Sequence, residues 1–218
     1  MLFTQLSGHV SRLLKQALVL VMFAITASPA YSASKTILVL GDSLSAEYGL
    51  ARGKGWVALL EQRLQQKKIP ANVINASISG DTTSGGKARL TSLLERHHPD
   101  VVIIELGGND ALRGLPLKAS EGNFKAMIDM AQAQHSKVLL AGMRIPPNYG
   151  PDYSERFFSL YEKLAKTNKT ALVPFLLEGI AEKENLFQAD RIHPIAEAHP
   201  TILDNVWPHL LPLLNKSK

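Results

Sequence analysis

No cysteine occurs among the 218 residues. Disulfides, a thiolate nucleophile, a cysteine-ligated zinc site and a cysteine-linked lipid anchor are therefore excluded, and any nucleophile must be a hydroxyl, an amine or a carboxylate. Acidic residues are missing from positions 1–33, which hold Arg12 and Lys15, then the apolar run Ala17 to Ala27, then the small residues Ser28, Ala30, Ser32 and Ala33. Basic, apolar and small segments in that order read as a signal peptide cut between Ala30 and Ala33. The apolar run is 11 residues long, short of the roughly 20 that a spanning helix needs, so no integral membrane span is expected after cleavage. A periplasmic or secreted location follows. Dense Lys/Arg stripes are absent too: loss of Arg12 and Lys15 lowers the formal charge from +5 to +3, which makes nucleic acid a poor partner.

What remains, residues 34–218, is rich enough in apolar side chains for one domain with a sizeable core. Five short apolar runs recur at Thr36 to Leu40, Ala71 to Asn75, Val101 to Glu105, Lys137 to Ala141 and Thr170 to Val173. Their starts are about 30 to 35 residues apart, the length of a strand-helix-strand unit. Between them lie segments of helical period: Trp56, Leu59, Leu60, Leu64; Leu90, Leu93, Leu94; Phe124, Met127, Ile128, Ala131; and Phe157, Leu160, Tyr161, Leu164. Runs such as Val-Val-Ile-Ile, apolar on both faces, suit parallel strands covered by helices. The pattern predicts a doubly wound, three-layer α/β/α sandwich on a five-stranded parallel sheet. A last helix is expected to start near Pro200 and to be kinked or ended by Pro208. Arg144 to Pro151 is taken as the longest irregular stretch.

In such a sheet ligands bind beyond the carboxyl ends of the strands. The first strand runs directly into Gly41-Asp42-Ser43-Leu44-Ser45, where Ser43 is either a nucleophile or the cap of the next helix. After the second strand comes Ala76-Ser77-Ile78-Ser79-Gly80-Asp81; after the third, Gly107-Gly108-Asn109-Asp110; past the fifth, Asp190-Arg191-Ile192-His193-Pro194. Acyl transfer needs a hydroxyl, a base for its proton, an acid to orient the base, and donors aimed at the oxygen that becomes negative. Ser43, His193 and Asp190 can fill the first three roles, and the N–H of Gly80 with the amide of Asn109 the last. Asp42 and Asp110 read as carboxylates that accept bonds from their own turns.

These four ordered blocks resemble those of the SGNH, or GDSL, hydrolases, and the similarity extends through LGGNDALRG and IPPNYG over nearly all of residues 34–218. The resemblance is nearest to a periplasmic branch with acyl-CoA thioesterase, arylesterase and lysophospholipase activities. It implies a flavodoxin-like fold, a Ser43-Asp190-His193 triad, and an oxyanion hole of Ser43 N–H, Gly80 N–H and the Asn109 side chain. It implies neither cofactor nor metal. Residues Ala111 to Pro116 resemble a segment that closes over acyl chains, which makes Leu112, Leu115, Ile145 and Pro146 candidate substrate contacts. Two positions depart from the family pattern: Glu47, where many members have Gly, and Ile195, often Asn. Both bear on loop shape.

Rival readings fare worse. An α/β-hydrolase elbow would need Gly where Ser45 stands. A P-loop would need Lys where Gly86 stands in GDTTSGGK. His193, Glu197 and His199 could suggest a metal, but their spacing divides the histidines between helix faces. A catalytically idle binding protein predicts loss of a block, and none is lost. A carbohydrate O-deacetylase predicts a more polar rim than Leu112, Leu115, Pro116, Ile145 and Pro146 offer. The substrate expected is a small-molecule or lipid acyl ester or thioester.

Overall fold

Ile37-Leu38-Val39-Leu40 and Val101-Val102-Ile103-Ile104 are wholly withdrawn from solvent, as strands covered on both faces must be. They form the middle of the sheet in the computed structural model, which describes residues 34–215; the signal-peptide reading of residues 1–33 lies outside these. The strands are β1 (Lys35–Gly41), β2 (Ala71–Asn75), β3 (Val101–Glu105), β4 (Lys137–Ala141) and β5 (Ala171–Val173), all parallel, in the order β2-β1-β3-β4-β5. This is the flavodoxin-like doubly wound order. Edge strand β2 is only half-buried, as its mixed sequence ANVIN suggests.

Helices α1 (Trp56–Gln66) and α6 (His199–Leu214) pack together on one face. On the other lie α2 (Thr83–His97), α4 (Leu117–Ala133) and α5 (Pro151–Asn168), preceded by the single-turn α3 (Gly108–Leu112). The apolar stripe of each long helix faces the sheet: Phe124, Met127, Ile128 and Ala131 of α4 are fully buried, as are Trp56 and Leu60 of α1. Among the described residues no helix is long and apolar enough to cross a membrane.

One expectation is narrowed and another is corrected. Of the two effects expected of Pro208, a kink or an end, the end does not occur; α6 continues through Pro208 and Pro212 to Leu214. An interior proline costs about 3 kcal/mol, but continuing the helix buries Leu210 and Leu214, each worth about 1.5–3 kcal/mol. The longest irregular stretch is not Arg144 to Pro151 but the β5–α6 connection, residues 174–198, which holds only two short 3-10 turns. Phe187 bridges Pro194 within it, and Gln188 N–H donates to the His193 carbonyl at 2.7 Å, so the connection is stapled to itself.

The sheet's switch point lies between β1 and β3, whose connections leave toward opposite faces. The crevice this opens is bounded by the ends of those two strands, and Ser43 and Asn109 follow them directly.

Candidate active site

Ser43 starts a turn rather than a helix. The Asp42 carbonyl accepts Ser45 N–H and Ala46 N–H at 3.2 and 3.0 Å, and α1 begins only at Trp56, with Gly55 as its cap. The capping role is thereby removed, and Ser43 Oγ lies 2.8 Å from His193 Nε2. Ser45, the other hydroxyl of the motif, is buried, accepting from Trp56 Nε1 at 3.1 Å and donating to Glu105 Oε2 at 2.7 Å.

His193 Nδ1 is 2.7 Å from Asp190 Oδ2, while Asp190 Oδ1 accepts Ile192 N–H and His193 N–H at 2.9 and 3.0 Å. The turn is tight enough to place Arg191 in the left-handed region, at φ 58°. Burial on its own would raise the Asp190 carboxyl, but the bonds from the His193 backbone, the His193 ring and Ile192 outweigh it and hold the group at about 2. Asp190 is therefore an acceptor at neutral pH. It fixes the proton on Nδ1, leaving Nε2 free to receive one from Ser43.

Gly80 has φ 78°, a conformation that disfavours any side chain. Neither its N–H nor that of Ser43 has an acceptor among the described residues. The Asn109 amide nitrogen donates at 3.0 Å both to Asp42 Oδ2 and to the Asp81 carbonyl. Gly107 (φ 99°) makes the turn that delivers Asn109, and a Cβ there would come within 2.6 Å of the Tyr161 hydroxyl. Asp42 meets the expectation for its own turn by accepting Leu44 N–H at 3.1 Å. Asp110 instead reaches across the chain to Thr83 N–H, at 2.9 Å, and to the Ser120 hydroxyl.

Among the candidate substrate contacts, Leu115 and Pro146 are exposed, Leu112 is half-buried, and Ile145 is largely enclosed in the core. Five large apolar side chains are exposed among the described residues: Tyr48, Ile78, Leu115, Tyr149 and Ile192. Each lies between a different strand and the long helix that follows it. His199 does not face the site: its Nδ1 accepts Trp56 N–H in the core, at 3.0 Å.

The sequence reading passed over three groups. Tyr48 lies against the His193 ring, centroid to centroid 4.4 Å. Gln188 ties the two loops together through a 2.9 Å bond to the Tyr48 carbonyl. Glu105 is buried against the turn that holds Ser43, accepting from Asp42 N–H and the Ser45 hydroxyl; its one visible signal is that it is the only charged residue in the run Val101 to Glu105.

Residues 39–200 match the model of the GDSL-like lipase/acylhydrolase family. The chain belongs to that family. Esterase TesA of Pseudomonas aeruginosa is 51% identical over 183 residues, covering 84% of this chain and 91% of its own. Thioesterase 1/protease 1/lysophospholipase L1 of Escherichia coli is 43% identical over 184 residues, covering 84% and 87%. Among solved structures, the psychrotrophic esterase EstA from Pseudoalteromonas sp., inhibited by monoethylphosphonate, superposes with a TM-score of 0.80 at 42% identity, covering 84% of this chain and all of that one. This GDSL hydrolase thus shares its fold with an esterase of known structure and about half of its aligned residues with an esterase and a thioesterase.

Proposed function

We propose that the protein is an exported serine hydrolase of carboxylic esters and thioesters, with Ser43 as nucleophile, His193 as general base and acid, and Asp190 as the group that orients and stabilises His193. The observation that carries this reading is the unbroken chain Asp190–His193–Ser43, at 2.7 and 2.8 Å.

Ser43 Oγ attacks the acyl carbonyl as its proton passes to Nε2, and Asp190 stabilises the imidazolium. The carbonyl oxygen, now negative, takes hydrogen bonds from Ser43 N–H, from Gly80 N–H and from one N–H of the Asn109 amide, which gives up the Asp81 carbonyl to it. His193 returns the proton to the leaving alcohol or thiol, the acyl group stays on Ser43, and a water deprotonated by His193 releases it. No step calls for a metal or cofactor.

The exposed Tyr48, Ile78, Leu115, Tyr149 and Ile192 favour an apolar acyl substrate over a sugar ester, since a sugar pocket needs convergent polar groups. Relatives named as an esterase and as a thioesterase and lysophospholipase point to aryl esters, acyl thioesters and lysophospholipids. Residues 1–33 act as the export signal, and residues 34–218 as the single catalytic domain.

Ser43→Ala should retain the wild-type circular dichroism spectrum yet lose both fluorophosphonate labelling and hydrolysis of a panel of aryl esters, lysophospholipid and acyl-CoA. Turnover by clean Ser43→Ala protein would end the nucleophile assignment.

A further inference from the structure

Asp42 is buried beside Ser43 without a cationic partner among the described residues, although the reaction scheme gives it no role. Its two oxygens are divided. Oδ1 accepts Leu44 N–H at 3.1 Å and so shapes the nucleophile turn; Oδ2 accepts the Asn109 amide at 3.0 Å. The second acceptor of that amide is a backbone carbonyl, Asp81 O, also at 3.0 Å. Both neighbours are oxygens with no proton to give while Asp42 is ionised. An Asn109 side chain turned through half a revolution would set its own oxygen against the two of them.

We propose that the Asp42 carboxylate is a positioning residue for the reaction: its negative charge holds one N–H of the Asn109 amide, so that nitrogen and not oxygen faces the site and the other N–H passes from the Asp81 carbonyl to the oxygen that becomes negative. The role rests on the reading of Asn109 as an oxyanion donor. Protonated, Asp42 could donate to the amide oxygen and would tolerate either orientation, so the charge matters as well as the shape.

The groups facing Asp42 decide when it carries that charge. Burial pushes its carboxyl up to about 6; the bonds from Leu44 and Asn109 and the nearness of His193 lower it, and Asp81 raises it. From β3, Glu105 accepts Asp42 N–H at 3.3 Å, and burial, with the Asp42 charge next, pushes the Glu105 carboxyl well above its ordinary range. Glu105 is thus the member of the pair that keeps its proton. Arg89 of α2 is engaged by Asp81 at 2.8 Å, Asp110 of α3 by Thr83 and Ser120, and the Tyr161 hydroxyl of α5 by the Leu106 carbonyl.

The test is a double-mutant cycle. An Asn at position 42 has one oxygen, so it cannot accept from Leu44 N–H and from Asn109 together. Asp42→Asn should lower kcat roughly tenfold or more with little change in KM, and Asn109→Ala should lower it roughly 100- to 1,000-fold. The double variant should be no slower than Asn109→Ala, because Asp42 acts through Asn109. Losses that multiply would show Asp42 to be structural, and a harmless Asp42→Asn would equally overturn the proposal. A harmless Asn109→Ala would instead remove the oxyanion reading, and the proposal with it.

A second measurement needs no change at position 42. In His193→Ala protein, where that imidazole no longer titrates, the Asn109 side-chain amide resonances should move with one ionisation in the weakly acidic range. Resonances that stay fixed across that range would overturn the assignment.

Discussion

Glu105 shows what a single side chain imposes on its surroundings. Its Oε2 accepts both the Ser45 hydroxyl, at 2.7 Å, and Asp42 N–H, at 3.3 Å. Burial, then the charge of Asp42, raises its carboxyl well above the ordinary 4.5. A group raised on folding contributes stability that is complete below its unfolded value and is lost as pH rises through the folded one. Glutamine supplies one oxygen in the Oε2 position and an amide in place of the proton-bearing oxygen. Glu105→Gln should therefore unfold at a higher temperature than wild type at about pH 8, with the gap narrowing toward about pH 4. Calorimetry across that range checks it, and a gap independent of pH would mean that Glu105 is ionised in the fold. The hydrogen-bonded series Asp190–His193–Ser43 could be read from the sequence because acyl transfer, the chemistry proposed for it, calls for a few residue types in a few places. Glu105 and the tie from Asp42 to Asn109 could not, because what they do depends on neighbours 63 and 67 residues away. Glu47 falls between these cases. It departs from Gly, and it does adopt the left-handed φ of 59° that Gly would favour, yet its carboxylate accepts Gly53 N–H and Gly55 N–H at 2.9 and 2.8 Å and closes the loop.

At the scale of elements, apolar runs proved a better guide than breakers. Ala71–Asn75, Val101–Glu105 and Lys137–Ala141 have the bounds that their composition suggests, since burial on both faces leaves little latitude for a strand's position. Pro208 does not end its helix because a local rule met a tertiary one: it is exposed on α6 while its neighbours Val206 and Leu210 are buried. Replacing Pro208 by Ala restores an N–H to the helix ladder without opening a cavity. Stability should rise by about 1 to 3 kcal/mol, less the entropy regained by the unfolded chain, as measured by urea denaturation. Destabilisation would mean that the Pro208 ring packs in a way its exposure does not suggest. The β5–α6 connection escaped notice for a different reason. Its order comes from the Phe187–Pro194 bridge and from Gln188, contacts with no periodicity to read.

For the molecule as a whole, the parallel order has a consequence in time. β1 is the first strand of the described chain but sits in the middle of the sheet, and Leu38 must wait for its partner Val102, 64 positions later. Ser43 waits longer still, since its hydrogen-bond partner His193 lies 150 residues on. Closing such long loops costs entropy before any contact repays it, so folds of this kind form slowly. In refolding from urea, tryptophan fluorescence from Trp56 in the core should recover ahead of esterase activity, and recovery of both at one rate would show that the last connection docks with the sheet. Under the export and the triad proposed above, a chain threading a membrane carries no hydrolytic activity on the way: the serine emerges early, the histidine near the end, and the enzyme is silent until both are on the far side.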